Sequence, residues 1–157
     1  EFSPQKVDLL KIIQRVEKEN LSIARTKLLK IKLEINPKSL NAQGQFTVMA
    51  EELLCYSLFG NLIKNAFEAS PDQQEITIHL FQDGNTGFNE VKIHNRGCVP
   101  EEIRERFFEK FATSGKTHGT GLGTYSAKLM AEVQEGSISM ETSEENGTTI
   151  SVRLKKG

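Results

Sequence analysis

Apolar residues recur along this chain at two spacings, and the switches between them predict its elements. From Pro4 to about Arg25 the spacing is helical, with Val7, Leu10, Ile13 and Val16 and then Leu21 and Ala24 on one side. LLKIKLEI, Leu28 to Ile35, alternates apolar and polar toward its end and predicts a strand, closed by NPKS. QFTVMA (Gln45 to Ala50) predicts a second short strand, and Glu51 to Ser70 a long helix ended by SPD. EITIHLFQ (Glu75 to Gln82) and FNEVKIHN (Phe88 to Asn95) alternate with period two around DGNTG, which predicts a hairpin. Pro100 followed by Glu101 and Glu102 marks a helix start, because proline suits the first turn and carboxylates favour its positive end. LGTYSAKLMAEVQ is helical and stops at Gly136, and SISMETS and TTISVRLKK are two more strands around the turn EENG. Helices interspersed with hairpins predict an α+β class. The simplest packing is a two-layer α/β sandwich, a mixed, mostly antiparallel sheet with its helices on one face.

Composition removes several functions. The 157 residues suffice for one well-packed domain, 1–157, and 37% hydrophobic with 26% charged is ordinary for one. With 20 basic and 21 acidic residues the net charge is −1, which argues against a nucleic-acid binder or a polybasic membrane arm. No apolar run reaches the roughly 18–20 residues that span a bilayer, so no direct membrane contact is expected of this domain. Cys55 and Cys98 make neither a disulfide framework nor a zinc pair, and Cys55 lies in an apolar helical run as a small buried thiol. A soluble domain of a reducing, cytoplasmic compartment is the expectation, whatever anchors the parent protein.

Three segments carry candidate chemistry. In GNLIKNAFEAS the amides Asn61 and Asn65 sit one helical turn apart along one edge of the buried stripe, with Glu68 close by. Asparagine is a mediocre helix former, and an unpaired amide against a core costs about 1–3 kcal/mol. Taken alone, the pair also fits buried amides bonded to backbone. HGTGLGT places Gly119, Gly121 and Gly123 directly before a helix, where free N–H groups and close backbone approach suit a phosphate chain. Taken alone, these glycines also fit a tight turn, and GxGxG without a preceding strand is not the dinucleotide fingerprint. In IHNRGCVPEEI a strand ends at Asn95, whose amide can accept from an amino group and donate to a ring nitrogen, as adenine requires. An ordinary strand-to-helix turn also fits.

Together, in this order, the segments resemble the catalytic and ATP-binding domain of sensor histidine kinases, within the GHKL ATPases shared with DNA gyrase, mismatch-repair and chaperone proteins. NLIKNAFEAS is similar to the N box of that family, HNRGCVP to its first glycine box, RFFEKF to its phenylalanine box and GTGLGT to its second glycine box. The resemblance runs from about Val7 to Leu154. It implies that Asn65 is a magnesium ligand and that Asn61 lies near the phosphates or the metal's water, with Glu68 on the same edge. It implies that Gly119, Thr120, Gly121, Leu122 and Gly123 wrap the phosphates of ATP, with Lys116 on a mobile lid, Thr113 to His118, rooted by Phe108 and Phe111. Asn95 and Gly97 belong to the base pocket, and Thr148 completes the ATP-binding set. The hydrolytic cousins carry a glutamate at the place of Asn61; an amide there removes the general base. The first glycine box departs from Asp-x-Gly-x-Gly, with Asn95 at the aspartate and the second glycine missing from CVP. A register shifted by one would put His94 at that place.

None of His79, His94 and His118 has the setting of a phosphate-accepting histidine. The implied partners are therefore an acceptor-histidine dimerisation domain outside this chain, which reads as an excised kinase core, and a response-regulator receiver domain downstream. The alternatives are an anti-sigma-factor type serine kinase and a nucleotide-gated interaction module without phosphoryl transfer.

Overall fold

A computed structural model describes residues 1–110 and 122–157. The first departure from the sequence pattern is at the start of the chain. Gln5–Asp8 is not helix but strand β1, paired antiparallel with β3 (Thr47–Ala50), Val7 opposite Val48. Helix α1 begins only at Leu9, because the Asp8 carboxylate accepts from Leu10 N at 3.1 Å and also from Phe46 N at 3.2 Å. It runs Leu9–Glu19 and buries Leu9, Ile12, Ile13 and Val16. The predicted single helix then breaks at Asn20, whose side chain turns back to donate to Val16 O at 2.8 Å, and α2 occupies Leu21–Thr26. Strand β2 is Lys30–Ile35 and excludes Leu28, which ends the helical segment with φ 56 and stays 64% exposed.

The main sheet has the order β2-β4-β5-β7-β6, with β4 Glu75–Asp83, β5 Phe88–Asn95, β6 Ser137–Ser143 and β7 Gly147–Lys155. Every neighbouring pair is antiparallel except β2 with β4, which is parallel. The expected α+β sandwich is therefore present, with helices on one face of a mixed sheet. The β1–β3 ribbon stands outside this sheet and meets it where Val48 bridges Lys156 and Gly157 N donates to Thr47 O at 3.0 Å.

The core is built on period two from the sheet and period 3.6 from the helices. Ile76, Ile78 and Leu80, Val91 and Ile93, and Ile150, Val152 and Leu154 point inward. Against them lies α3 (Glu52–Ala69), burying Cys55, Leu58, Phe59, Leu62, Ile63, Ala66 and Phe67. The last turn of α3 has no basic residue; Lys27 supplies one from outside, its Nζ 2.9 Å from Phe67 O and 2.8 Å from Glu68 O. The opposite sheet face is polar: Arg153 binds Glu90 at 3.1 Å and Asp83 at 2.9 Å, and His79 stacks on Phe81.

The predicted helix after Pro100 is a 3₁₀ turn, Glu101–Arg106, and α4 occupies Gly123–Val133.

Candidate functional site

The edge of α3 predicted from periodicity exists. Asn61 and Asn65 are half-buried on it and Glu68 is exposed. What faces this edge is set by α4. Asn61 Nδ2 lies 3.3 Å from Gly123 O, at the first residue of α4. At the far end, fully buried Gln134 accepts at Oε1 from Glu51 N (2.8 Å) and from the Cys55 thiol (3.6 Å), while its Nε2 donates to Met130 O (3.2 Å). The Asn61–Gly123 and Glu51–Gln134 bonds fix α4 antiparallel to α3. The N-terminus of α4 is thereby held beside the two amides. Burial and the nearby Glu52 charge push the Cys55 thiol up to about 12, against the smaller opposing effect of Gln134, so it is an inert packing group.

Leu122 directly precedes α4, and Gly123 leaves open space where a Cβ would stand, so no packing among the described residues demands a glycine there. Thr124 Oγ1 donates to Phe107 O at 2.9 Å, which ties the start of α4 to the residues after the 3₁₀ turn. Phe107 packs against the core and Phe108 meets it edge-on at 5.0 Å. The core-facing aromatic is thus Phe107, one residue before the expected Phe108. Lys116, Gly119, Thr120 and Gly121, with Phe111 and the Thr113 to His118 span, lie outside the described residues.

The other end of the site lies where β5 runs out under the C-terminus of α3. Asn95 continues the inward line of Val91 and Ile93 and is 5% exposed; Thr148, its partner across the β5–β7 ladder, is 5% exposed as well. His94, the residue of the shifted register, faces the outer side, its Nε2 2.6 Å from Asn146 O. Gly97 is required by close approach: a Cβ on it would lie 2.8 Å from Ala69 O. Gly147 is required twice over, by a φ of +79 and by Asn95 O, 2.4 Å from where its Cβ would be.

One chain of hydrogen bonds holds the segment after Asn95. Val99 N–H donates to Thr142 Oγ1 (2.9 Å), the Thr142 hydroxyl lies 2.9 Å from Thr148 Oγ1, and Thr148 donates to Gly97 O (2.7 Å). With one proton per hydroxyl, Thr142 then donates to Thr148. Arg104 folds back from the 3₁₀ turn to bond Val99 O at 2.8 Å and the Cys98 sulfur at 2.9 Å. Thr142, Arg104 and Gln134 carry no sequence motif and were missed. Only the hairpin register, which sets Thr142 opposite Thr148, held a signal for the first.

The Asn95 amide itself has no hydrogen-bond partner among the described residues. It is not sealed away either; among the described residues the one enclosed side-chain atom lacking a partner is Asn89 Oδ1. A polar group this buried is ordinarily satisfied. Its donor and acceptor therefore fit a ligand edge that brings both. Among the described residues no helix is long and apolar enough to cross a membrane.

A family model described as histidine kinase-, DNA gyrase B-, and HSP90-like ATPase matches residues 50–157. The chain is 27% identical over 154 residues to a probable C4-dicarboxylate sensor kinase of Halalkalibacterium halodurans, covering 92% of this chain and 29% of that protein. It is 29% identical over 150 residues to the histidine protein kinase SaeS of Staphylococcus aureus, covering 91% and 38% respectively. The chain thus spans about a third of the length of these curated relatives. The nucleotide-free catalytic domain of histidine kinase ThkA superposes with a TM-score of 0.82 at 26% identity, over 98% of this chain and 96% of that one.

Proposed function

The chain belongs to the histidine kinase-, DNA gyrase B-, and HSP90-like ATPase family, and from that premise we propose that it is the phosphoryl-donating core of a two-component sensor histidine kinase. The observation that carries the reading is the bond of Asn61 to Gly123, which brings the amide edge of α3 to the helix start that follows the glycine-rich segment. Anion-binding N–H groups and oxygen ligands for a hard cation then lie side by side.

In this reading Asn95 and Gly97 hold the base, with Thr148 and Thr142 bracing the loop behind it. Asn65 supplies a neutral oxygen to magnesium, adding no repulsion toward a triphosphate, and the metal, when bound, neutralises phosphate charge. Asn61 has no basic lone pair at neutral pH and takes no proton from water, so the site holds ATP for transfer to a side chain. Lys116, Gly119, Thr120, Gly121, Leu122 and Gly123 would surround the phosphates.

The acceptor is a histidine on a helical dimerisation domain of the parent protein, and a receiver domain takes the phosphoryl group onward. A cytoplasmic location follows from the ATP requirement. The similarity to sensor kinases over nine-tenths of this chain favours histidine over serine as acceptor.

The test is transfer. The chain is mixed with labelled ATP, magnesium and a separately supplied helical histidine domain. Acid-labile, base-stable label on that domain is the expected result. Label on serine, or none while ATP binds, overturns the proposal.

A further inference from the structure

Asn95 stands where the resemblance expects an aspartate. The two side chains share a shape but not a hydrogen-bonding capacity: a carboxylate only accepts, whereas a primary amide accepts at Oδ1 and donates at Nδ2. Whether the second capacity is usable depends on what the fold does with the amide. Here it is 5% exposed, and no protein group among the described residues bonds either atom. The protein therefore does not choose between the two orientations related by a half-turn about Cβ–Cγ.

The neighbours do not choose either. Thr148, across the ladder from Asn95, has its proton committed to Gly97 O at 2.7 Å. It accepts in turn from Thr142 at 2.9 Å. It has no hydrogen-bond donor left to offer a base, and His94 is on the other face of the sheet, engaged with Asn146 O. Among the described residues, reading the purine 6-position falls to Asn95.

A 6-aminopurine presents an N6–H donor beside the N1 acceptor, and a 6-oxopurine presents an O6 acceptor beside an N1–H donor. One orientation of the amide pairs with the first edge and the flipped one with the second, two bonds in each case. Resting on the nucleotide-binding reading above, we propose that Asn95 makes the base pocket ambivalent, so that it takes 6-oxopurine nucleoside triphosphates about as well as 6-aminopurine ones. A carboxylate at the same place accepts from N6–H of the one edge or from N1–H of the other but donates to neither, so it makes one bond where the amide makes two.

The experiment is calorimetric titration of the full chain, with magnesium, against ATP, ITP and UTP. ITP is the informative probe, because it differs from ATP only at the 6-position and N1. The expected result is ATP and ITP affinities within about threefold and UTP weaker by about tenfold or more, with Asn95→Leu, which removes both the donor and the acceptor, losing ATP and ITP alike by about tenfold or more. ITP binding tenfold weaker than ATP to the parent chain overturns the inference and leaves the nucleotide reading standing. So does UTP binding as tightly as ATP, or an Asn95→Leu chain that still binds ITP like the parent. If a chain that melts cooperatively binds none of the three, both readings fall.

Discussion

The side-chain amide of Asn61 donates to the backbone carbonyl of Gly123 at 3.3 Å, joining two residues 62 positions apart. One turn further along α3, Asn65 is half-buried and has no such bond among the described residues. The two amides therefore differ in what their loss does to the empty protein. Asn61→Ala is expected to lower its stability by about 0.5–1.5 kcal/mol, the worth of one hydrogen bond. Asn65→Ala is expected to leave the melting temperature unchanged and to abolish magnesium-dependent ATP binding. Thermal melts of the ligand-free variants beside ATP titrations check both. An Asn65→Ala chain that binds magnesium and ATP like the parent removes the metal-ligand role.

Gly97 lies under the end of α3, with Ala69 O 2.8 Å from the place of a Cβ. The obstacle is backbone, so the loop must move. Gly97→Ala should cost about 1–3 kcal/mol in stability and displace Asn95 and the threonine chain with it. Stability and ATP affinity should fall together in denaturant and binding measurements. A fall in stability alone shows that this loop does not shape the base pocket.

Gln134 is fully buried and bonded to Glu51 N at 2.8 Å and Met130 O at 3.2 Å. Gln134→Leu keeps the volume and leaves the half-buried N–H of Glu51 at the start of α3 without its partner, at a cost of about 1 kcal/mol. Alkylation of Cys55, whose thiol is held up to about 12 by burial, should then speed up in proportion to the lost stability, because the thiol reacts only on opening. Labelling at the parent rate would show that Gln134 does not hold the two helices together.

Asp83 has its acidity strengthened by the N–H of Asn85 and then by Arg153, so its folded pKa lies below the unfolded value. The sign follows directly: its stabilisation is complete above the unfolded carboxylate value of about 3.9 and drains away as pH falls through the lower folded value. The melting temperatures of the parent and of Asp83→Asn should differ at pH 6 and converge as the pH drops below about 4. A gap that stays constant down to pH 2 would exclude Asp83 from the acid limb.

Much of this molecule was legible in its residues because the information is local. The period of 3.6 placed α3 and put Asn61, Asn65 and Glu68 on one edge. Period two around DGNTG and EENG placed both hairpins and put Asn95 and His94 on opposite faces; which of the two faces is inner came from the fold. What the sequence did not disclose depends on partners far along the chain. Gln5–Asp8 reads as helix because Val7 suits either period, and becomes strand because Thr47–Ala50 offers it a ladder. The parallel pairing of β2 with β4 and the cap of α3 by Lys27 are decided in the same way. So is the site's closure, since Asn61 with Gly123, Thr148 with Gly97 and Gln134 with Glu51 are each joined across more than fifty positions. Side-chain periodicity is a property of neighbouring residues along a helix or strand. Hydrogen-bond partners across the fold are a property of which elements pack together, and only the tertiary structure decides that.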